Sequence, residues 1–434
     1  MRSIRLGVIV FSLLLSILNS CKKDEDTEPP RISISSPYEN AVYNVFDVVS
    51  VQASVSDNKQ LESVSVGLLD AQMNVAYISV PATFTTPSTS INVSYYLDDI
   101  HLESGIYYIK VTANDGENSI NAYKKIQINA VPRALKKVFL VTQPGSIQTN
   151  ISYIDSTFSS IIPYQSFSGD HIGSSASSYF QQMYSCGNYT GAFRSIDLSN
   201  NAVKFTVPCV QSAYPYFTGY LGLEKTVYAS FYSGIVRGYD HNGNIVYSAA
   251  ANSGYYIQNF AFSGGYLLAE QVDQQTAARV LTSHQTTGVG YQQVSLTQDV
   301  VSFCEKDNEN VFVFGNVSGQ ATIQLFDRNA NNLWNPYPFS LATGALISAV
   351  KIDSNTFLLG HSNGTIYKYK YQPSSVTTYL SGYTAKQLIY DDLNDEVYIV
   401  EDNTLTRVYY SSGGVHNSVS SSETILSASL LYNR

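Results

Sequence analysis

The sequence predicts an all-β protein that consists of a two-sheet sandwich followed by a seven-bladed β-propeller. Tyrosine and phenylalanine are abundant, with 35 and 19 of 434 residues, whereas the helix former methionine occurs only three times. Aromatic side chains favour strands. Short runs also alternate between apolar and polar residues, which is the period of a strand with one buried face. From residue 134 onward, similar segments recur about every 43 residues, a spacing typical of four-stranded propeller blades.

The composition indicates a folded chain without a polyanionic partner. Hydrophobic residues make up 44% of the sequence and charged residues 14%, whereas disordered chains combine few apolar groups with high net charge. The formal net charge is −9. Since no excess of basic side chains is available to displace counterions, we expect no nucleic-acid partner.

The N-terminus has the pattern of a secretory signal. Arg2 and Arg5 precede an apolar run over residues 6–18, which is shorter than the roughly 20 residues that a membrane span needs. The pattern predicts a signal peptide over residues 1–20. The string Leu18-Asn19-Ser20-Cys21 resembles a bacterial lipobox, and this resemblance implies that Cys21 is lipidated and that the lipid is the chain's contact with the membrane.

A charged segment follows the proposed lipidation site. Residues 22–26 read Lys-Lys-Asp-Glu-Asp and lead to Pro29-Pro30. Such a segment cannot bury apolar surface, so it predicts a flexible acidic tether over residues 21–30. It resembles the acidic stretch of Bacteroidota surface lipoproteins, which implies an outer-membrane location with exposure at the cell surface.

Residues 31–131 predict a β-sandwich. Val49, Val51, Ala53 and Val55 alternate with polar residues, as do the apolar residues of 105–113, and Asp115-Gly116 is a hairpin signal. About 100 residues with some seven short strands is the size of an immunoglobulin-like sandwich. The segment resembles bacterial Ig-like or PKD-like modules, which implies a spacer.

Two repeated landmarks predict seven units over residues 134–434. The first is an apolar residue followed by Asp at the end of an apolar run, where the carboxylate can accept hydrogen bonds from the amides of a turn. It occurs at Ile154-Asp155, Ile196-Asp197, Tyr239-Asp240 and Phe326-Asp327. The second is a run typical of a second strand, beginning near Val138, Val227, Tyr266, Val311, Phe357 and Val397, with a less regular unit near residues 183–192. Four strands at this period indicate a propeller.

The two ends of this region predict how the propeller closes. Residues 424–432 form a terminal apolar strand, while the first unit begins at Lys137 without a preceding innermost strand. We therefore expect residues 424–432 to supply the innermost strand of the first blade, which removes the open sheet edges.

The repeats resemble propellers of the WD, quinoprotein and surface-layer kinds. Phe326-Asp327 through Leu333-Trp334 is similar to a quinoprotein-type blade, but the chain has a single Trp. The Trp-docking pattern of the quinoproteins is therefore not met. The resemblance implies the fold and no particular chemistry.

Tyrosines recur in the segments expected to connect an outermost strand with the next innermost strand. These segments are 167–179, 208–216, 249–257, 336–345 and 380–386. Exposed aromatic rings at equivalent loop positions can form a binding rim for sugar rings or for a protein partner. The candidate ligand-binding residues are Tyr179, Tyr214, Tyr216, Tyr255, Tyr256, Tyr337 and Tyr383.

No pattern in the sequence predicts a catalytic residue, a metal site or a cofactor. Several ionisable residues fall near the same loops, and we expect most of them to be solvated turn residues: Asp170, His171, Asp273, His361, Glu401 and Asp402. The six histidines occur singly rather than at metal-ligand spacing. The acidic segments 305–310 and 391–396 lack the pattern of an EF-hand loop and are interpreted as hairpin turns.

Three cysteines remain after Cys21. Cys186 and Cys209 lie in one repeat, and a disulfide between them is possible in an oxidising compartment. Cys304 lies in an apolar stretch and is interpreted as a buried free thiol.

The leading hypothesis is a surface lipoprotein that acts as a non-catalytic binding module for a glycan or for a surface or envelope protein. One alternative is a propeller enzyme, either a polysaccharide hydrolase or lyase or a quinoprotein-like enzyme. The other alternative is a structural subunit of an envelope assembly.

Overall fold

The computed structural model describes residues 26–78, 81–145, 147–155, 157–337 and 342–434, and none of these residues lies in a helix. Accordingly, no helix in the described part of the chain could cross a membrane. The chain divides into two compact units, Met1–Pro132 and Arg133–Arg434. The predicted signal peptide, Cys21 and the tether as far as residue 25 lie outside the described residues.

The first unit contains two sheets that enclose one core. A three-stranded antiparallel sheet has the order β1-β3-β7, and a second sheet has the order β2-β9-β8-β4-β5, with β6 beside β4. The strands are β1 (Arg31–Ser36), β2 (Ala41–Asn44), β3 (Val48–Ser56), β4 (Ser63–Leu69), β5 (Val75–Ile78), β6 (Ala82–Thr83), β7 (Ser88–Tyr96), β8 (Gly105–Asn114) and β9 (Ser119–Asn129).

The alternating patterns of the sequence determine which side chains enter this core. Val49 and Val51 of β3 are fully buried and pack in one cluster with Ile109 and Val111 of β8. The polar residues between them point away from the cluster, because neighbouring residues of a strand face opposite sides. The Asp115-Gly116 signal marks the turn between β8 and β9, where the Asp115 carboxylate accepts a hydrogen bond from the Glu117 amide at 2.7 Å.

Four-stranded antiparallel sheets build the second unit, and the described residues contain seven of them. In chain order, the strands of the first four sheets are β10 (Leu135–Gly145), β11 (Gln148–Asp155) and β12 (Ile161–Ser168); β13 (Gly173–Ser177), β14 (Gln182–Cys186), β15 (Phe193–Asp197) and β16 (Val203–Val207); β17 (Phe217–Gly222), β18 (Val227–Phe231), β19 (Ile235–Tyr239) and β20 (Ile245–Ala250); and β21 (Tyr255–Ser263), β22 (Tyr266–Asp273), β23 (Arg279–His284) and β24 (Gly290–Leu296).

The strands of the last three sheets are β25 (Asp299–Glu305), β26 (Asn310–Val317), β27 (Gln320–Asp327) and β28 (Asn332–Trp334); β29 (Leu346–Lys351), β30 (Thr356–His361), β31 (Thr365–Lys370) and β32 (Ser375–Ser381); and β33 (Gln387–Asp391), β34 (Glu396–Val400), β35 (Thr404–Tyr409) and β36 (Val415–Ser420). The last strand of the chain, β37 (Thr424–Tyr432), belongs to the first sheet, whose order is β12-β11-β10-β37.

The sheets pack in a cyclic series. Each of seven hydrophobic clusters among the described residues joins side chains of two neighbouring sheets. One cluster joins the last sheet to the first, with Tyr398 and Val400 of β34 against Val138 and Leu140 of β10 and Ile425 of β37. This arrangement of four-stranded antiparallel sheets is consistent with a β-propeller.

The C-terminal strand pairs with β10, as the two ends of the region predicted. The antiparallel register runs from Leu135 opposite Tyr432 to Gln143 opposite Thr424. Because β37 lies at the edge of the first sheet beside β10, it occupies the place that the other sheets fill with their own first strand.

The Asp landmark has the local role that its position predicted. Asp197 and Asp240 stand where a third strand ends, and each carboxylate accepts a hydrogen bond from the amide two residues later, Ser199 and Asn242, at 2.9 Å. Such a carboxylate satisfies amides that would otherwise be unpaired at the reversal of the chain. The acidic segments 305–310 and 391–396 surround the turns between β25 and β26 and between β33 and β34.

Candidate functional site

One end of the second unit collects two kinds of connection. In an antiparallel sheet, the turn from the second to the third strand lies at the same end as the segment that leaves the fourth strand for the next sheet. We call this end the loop face. It includes residues 169–172, 187–192, 208–216, 232–234, 251–254, 382–386 and 401–403.

Six of the seven candidate tyrosines lie at the loop face. Tyr214, Tyr216, Tyr337 and Tyr383 are in connections between sheets, and Tyr255 and Tyr256 are the first two residues of β21. They differ in environment, because Tyr216, Tyr337 and Tyr383 pack against hydrophobic clusters between sheets.

The placement of Tyr179 at this face is wrong. Tyr179 lies in the turn between β13 and β14, which is at the opposite end of the sheet. The predicted connection 167–179 contains strand β13, with the sequence Gly-Ser-Ser-Ala-Ser. Those five residues do not alternate between apolar and polar, so the pattern that predicts a strand is missing there. At the opposite end, the ammonium group of Lys225 lies 4.2 Å from the centre of the Tyr179 ring.

Three tyrosine rings form a column at the loop face, in which the first pair is stacked and the second pair is tilted. The Tyr214 and Tyr232 rings are nearly parallel, with an interplanar angle of 8° and a centroid distance of 4.9 Å. The Tyr232 and Tyr256 rings follow at 5.1 Å and 31°. Tyr214 terminates the column and is 59% exposed, whereas Tyr232 and Tyr256 are partly buried.

Tyr232, the middle ring of this column, is not among the residues predicted from the sequence. It lies in the turn between β18 and β19, not in a connection between sheets. The second-to-third turns share the loop face, so searching them for aromatic residues would have found both Tyr232 and Tyr189. Tyr189 lies in the turn between β14 and β15 and is 44% exposed.

An ion-pair network lies beside the column. Arg279 begins β23 and contacts the Glu270 carboxylate at 2.5 Å and the Asp299 carboxylate at 2.7 Å. Burial raises the pKa of the Tyr256 hydroxyl, and the positive charge of Arg279 opposes this increase. Arg279 therefore connects the column electrostatically to the two carboxylates.

Glu270 is a structural anion in this network. Glu270 is fully buried, and this burial raises the pKa of its carboxyl group. One carboxylate oxygen accepts hydrogen bonds from Arg279 and from the Val300 amide, and the other accepts one from the Asn259 amide group at 2.6 Å. With both oxygens engaged inside the protein, Glu270 has no open face toward a ligand.

His171 lies among serine hydroxyls rather than in a catalytic triad. Its Nε2 is 3.1 Å from the Ser427 hydroxyl and its Nδ1 is 3.3 Å from the Ser185 hydroxyl. Burial lowers the pKa of this imidazole to about 4. A general base next to a serine nucleophile needs a partner that stabilises the imidazolium, and here a serine stands at that position.

Asp170 organises a turn. Its carboxylate accepts hydrogen bonds from the amides of Asn188, Tyr189, Thr190 and Gly191, at 2.8–3.0 Å. These hydrogen bonds lower the pKa of Asp170, although burial opposes them. Through this carboxylate, the connection after β12 holds the turn that carries Tyr189.

The other ionisable candidates also have local structural roles. Asp273 accepts hydrogen bonds from the amides of Gln275 and Thr276, and Glu401 accepts one from the Thr384 amide at 2.9 Å. Asp402 pairs with Lys386. His361 is fully buried at the end of β30.

The structure corrects the possible disulfide, because Cys186 and Cys209 are both free thiols. The Cys186 thiol is buried and contacts the Gly187 carbonyl at 3.5 Å, while the Cys209 thiol contacts the Tyr189 carbonyl at 3.1 Å. Cys304 is free and buried, and burial raises the pKa of its thiol to about 11.

A group of three carboxylates in the first unit lies outside the patterns considered above. Oxygen atoms of Asp26, Asp57 and Asp115 lie within 4.8 Å of one another. The three residues are distant in sequence, so no motif predicts that they lie close together. Acidic residues at this distance form ion sites in some proteins and remain solvated in many others.

The sequence matches no protein-family model and no curated protein. Similar solved structures include a chain of the mitotic checkpoint complex, with 13% identity and a TM-score of 0.48 over 59% of this chain and 80% of that one. A quinoprotein alcohol dehydrogenase-like protein from Bacteroides thetaiotaomicron has 14% identity and a TM-score of 0.46 over 93% and 99%. The computationally designed Ika8 protein has 12% identity and a TM-score of 0.46 over 68% and 90%. None of these similarities bears on the activity or the ligand of this chain.

Proposed function

We propose that this protein is a surface-exposed outer-membrane lipoprotein whose second unit binds a glycan without transforming it. Cys21 carries the lipid, the first unit is an Ig-like spacer, and the second unit is a seven-bladed propeller closed by β37. The cyclic packing of the four-stranded sheets and the pairing of β37 with β10 support the propeller. The signal-like N-terminus supports the anchor.

The column of Tyr214, Tyr232 and Tyr256 carries the proposal for binding. One face of the Tyr214 ring rests on Tyr232, and the ring is 59% exposed. An aromatic ring that is already held in place loses little conformational entropy when a ligand covers its open face. The apolar face of a sugar ring is a suitable partner for such a surface.

The surroundings of the column favour an uncharged ligand. The Gln274 side chain donates a hydrogen bond to the Tyr232 carbonyl at 2.8 Å, and Asn252 and Gln293 are linked through their side chains at 2.8 Å. Arg279, the cation beside the column, is paired with two carboxylates. Among the described residues, a glycan with free hydroxyl groups meets neutral amides there, and Arg279 is already paired and would not select an acidic polymer.

Binding to an array of neutral and acidic glycans tests this function. Tyr214→Ala and Tyr256→Ala are expected to weaken binding at least tenfold, because each removes stacking area from the column. Tyr409→Ala is the matched control, since Tyr409 is 42% exposed at the opposite end of its sheet and stacks on His416. If the column variants bind glycans with the affinity of the unmodified protein, the proposal is contradicted. If no glycan binds but a purified envelope protein binds and the column variants weaken that binding, the ligand of the column is a protein and not a glycan.

The anchor has a separate test. Cys21→Ser removes the thiol that would carry the lipid, so the protein is expected to leave the membrane fraction of cells that express the full-length gene. Retention of the variant in that fraction would contradict lipid attachment at Cys21 and would leave the binding proposal standing.

A further inference from the structure

A cavity lies where the first and last sheets of the second unit meet. Its volume is about 630 Å³, within the range of small-molecule sites. Pro163, Tyr164 and Gln165 of β12 line one side, and residues 420–423, which join β36 to β37, line another. The cavity is therefore built from both sheets that the C-terminal strand connects, and it is large enough for one or two sugar rings.

The lining of this cavity is polar but almost uncharged. Ser420, Ser421 and Ser422 supply hydroxyl groups, and Asn150 and Gln165 supply amides. Such groups both donate and accept hydrogen bonds. Pro163 and Ile161 add apolar surface. Polar groups beside apolar surface match a pyranose, whose hydroxyl groups surround apolar ring faces.

Glu423 is the charged residue of the lining, and it is held by the protein. Its carboxylate accepts hydrogen bonds from the Thr142 hydroxyl at 2.5 Å and from the Asn150 amide, which is 3.0 Å from each oxygen. No Lys, Arg or His contributes to the described lining. A fixed carboxylate without a neighbouring cation disfavours an anionic ligand.

The amide of Gln165, like the carboxylate of Glu423, is held by the protein. Its Nε2 donates to the Asn201 carbonyl at 2.6 Å, which fixes the orientation of the amide. Its Oε1 is buried and has no hydrogen-bond partner among the described residues. Because Asn201 does not line the cavity and the Oε1 atom is buried, the Gln165 side chain forms part of the wall, and the exposed residues Ser166, Ser420 and Ser422 supply the hydroxyl groups that a ligand can contact.

We propose that this cavity is a second ligand site, which takes a neutral sugar of one or two pyranose rings. The cavity is independent of the tyrosine column, because the column is built on β17 to β21 and the cavity on β10 to β12 and the segment before β37. The two sites therefore respond to different substitutions.

The test uses the purified full-length protein and a panel of neutral disaccharides that includes maltose, cellobiose and lactose, with glucuronate as an anionic probe. Ser166 is exposed and lines the cavity, so Ser166→Trp fills it. Ser168 is exposed on the same strand but does not line the cavity, so Ser168→Trp is the matched control. Calorimetry and saturation-transfer NMR measure binding, and thermal unfolding verifies that each variant is folded.

We expect at least one neutral disaccharide to bind the unmodified protein, with affinity at least tenfold weaker in Ser166→Trp and unchanged in Ser168→Trp and Tyr214→Ala. Ser422→Trp, at the other wall, should have the same effect as Ser166→Trp and serves if the latter does not fold. The proposal is overturned if no disaccharide binds, if glucuronate binds as well as the neutral sugars, or if Ser166→Trp and Ser422→Trp bind normally. Loss of disaccharide binding in Tyr214→Ala alone would overturn this site while supporting the column.

Discussion

Removal of the C-terminal strand should prevent the second unit from folding. A chain that ends before Thr424 lacks β37, which pairs with β10 from Thr424 to Tyr432. The loss would leave one edge of the first sheet open. It would also remove side chains from two hydrophobic clusters, since Ile425 packs between the first and last sheets and Leu431 packs between the first and second sheets.

The expected magnitude follows from the buried side chains of β37. Ile425, Leu431 and Tyr432 are each at most 5% exposed, and burial of such a side chain contributes about 2–3 kcal/mol, so the three together contribute about 8 kcal/mol. The Tyr432 hydroxyl also donates to the fully buried Asp391 carboxylate at 2.7 Å. The free energy of unfolding of a folded protein is about 5–15 kcal/mol, so the truncation would remove most of it.

Circular dichroism during heating, together with size-exclusion chromatography, measures the effect of the truncation. Single substitutions of two leucines in β37 test the same reasoning with smaller effects, because Leu431 is 2% exposed and Leu426 is 36% exposed. Leu431→Ala should lower the free energy of unfolding by about 2–5 kcal/mol, whereas Leu426→Ala should change it by about 0.5 kcal/mol. A truncated chain with an unchanged melting profile, or equal effects of the two leucine substitutions, would refute the reasoning.

Two further predictions concern ionisable groups of the second unit. The pKa of His171 falls from an ordinary value of 6.5 to about 4 in the folded protein. As the pH drops, the unfolded chain therefore binds the proton before the folded protein does. The free energy of unfolding should decline from about pH 6.5 and fall by up to about 3 kcal/mol by pH 4. His171→Gln should remove this part of the pH dependence in denaturant unfolding, and an unchanged pH profile would show that His171 does not titrate as described. Arg279→Met leaves the buried Glu270 carboxylate without its cation and should cost about 3–5 kcal/mol. Glu270→Gln in the same chain should restore part of that loss, and an Arg279→Met protein as stable as the unmodified one would contradict the role of the ion pair.

The sequence predicted the second strands of the sheets well because a short strand buried on both faces appears as an apolar run between turn residues. The runs expected to begin near Val227 and Tyr266 are β18 and β22, which begin at those residues, and the run near Val311 is β26, which begins one residue earlier. The less regular unit near residues 183–192 corresponds to β14. β18 and β26 are buried on both faces and consist mainly of apolar residues, so they appear in the sequence as short apolar runs, whereas polar residues interrupt the run in β14 and, at Glu270 and Gln271, in β22.

Strand β13 could not be predicted in the same way. Its five residues are small and mostly polar, and four of them are only partly buried. Its neighbours explain this composition, since the Ser174 hydroxyl lies 2.6 Å from the Ser427 hydroxyl and the Ser175 hydroxyl lies 2.5 Å from the Tyr220 hydroxyl. Contacts between different sheets therefore determine this strand, and they leave no periodic trace in the local sequence. The wrong placement of Tyr179 follows directly from this.

The tyrosine column, like β13, depends on contacts between sheets that the local sequence does not predict. Tyr214 comes from a connection between sheets, Tyr232 from a turn within one sheet, and Tyr256 from the first strand of the next. A search of one class of loop finds the first and third rings but not the ring that joins them. Without Tyr232, Tyr214 would be an isolated exposed side chain that pays the entropy of immobilisation when a ligand binds. The middle ring is thus what distinguishes a prepared binding surface from a surface that is merely rich in tyrosine, and only the alignment of two adjacent sheets creates it.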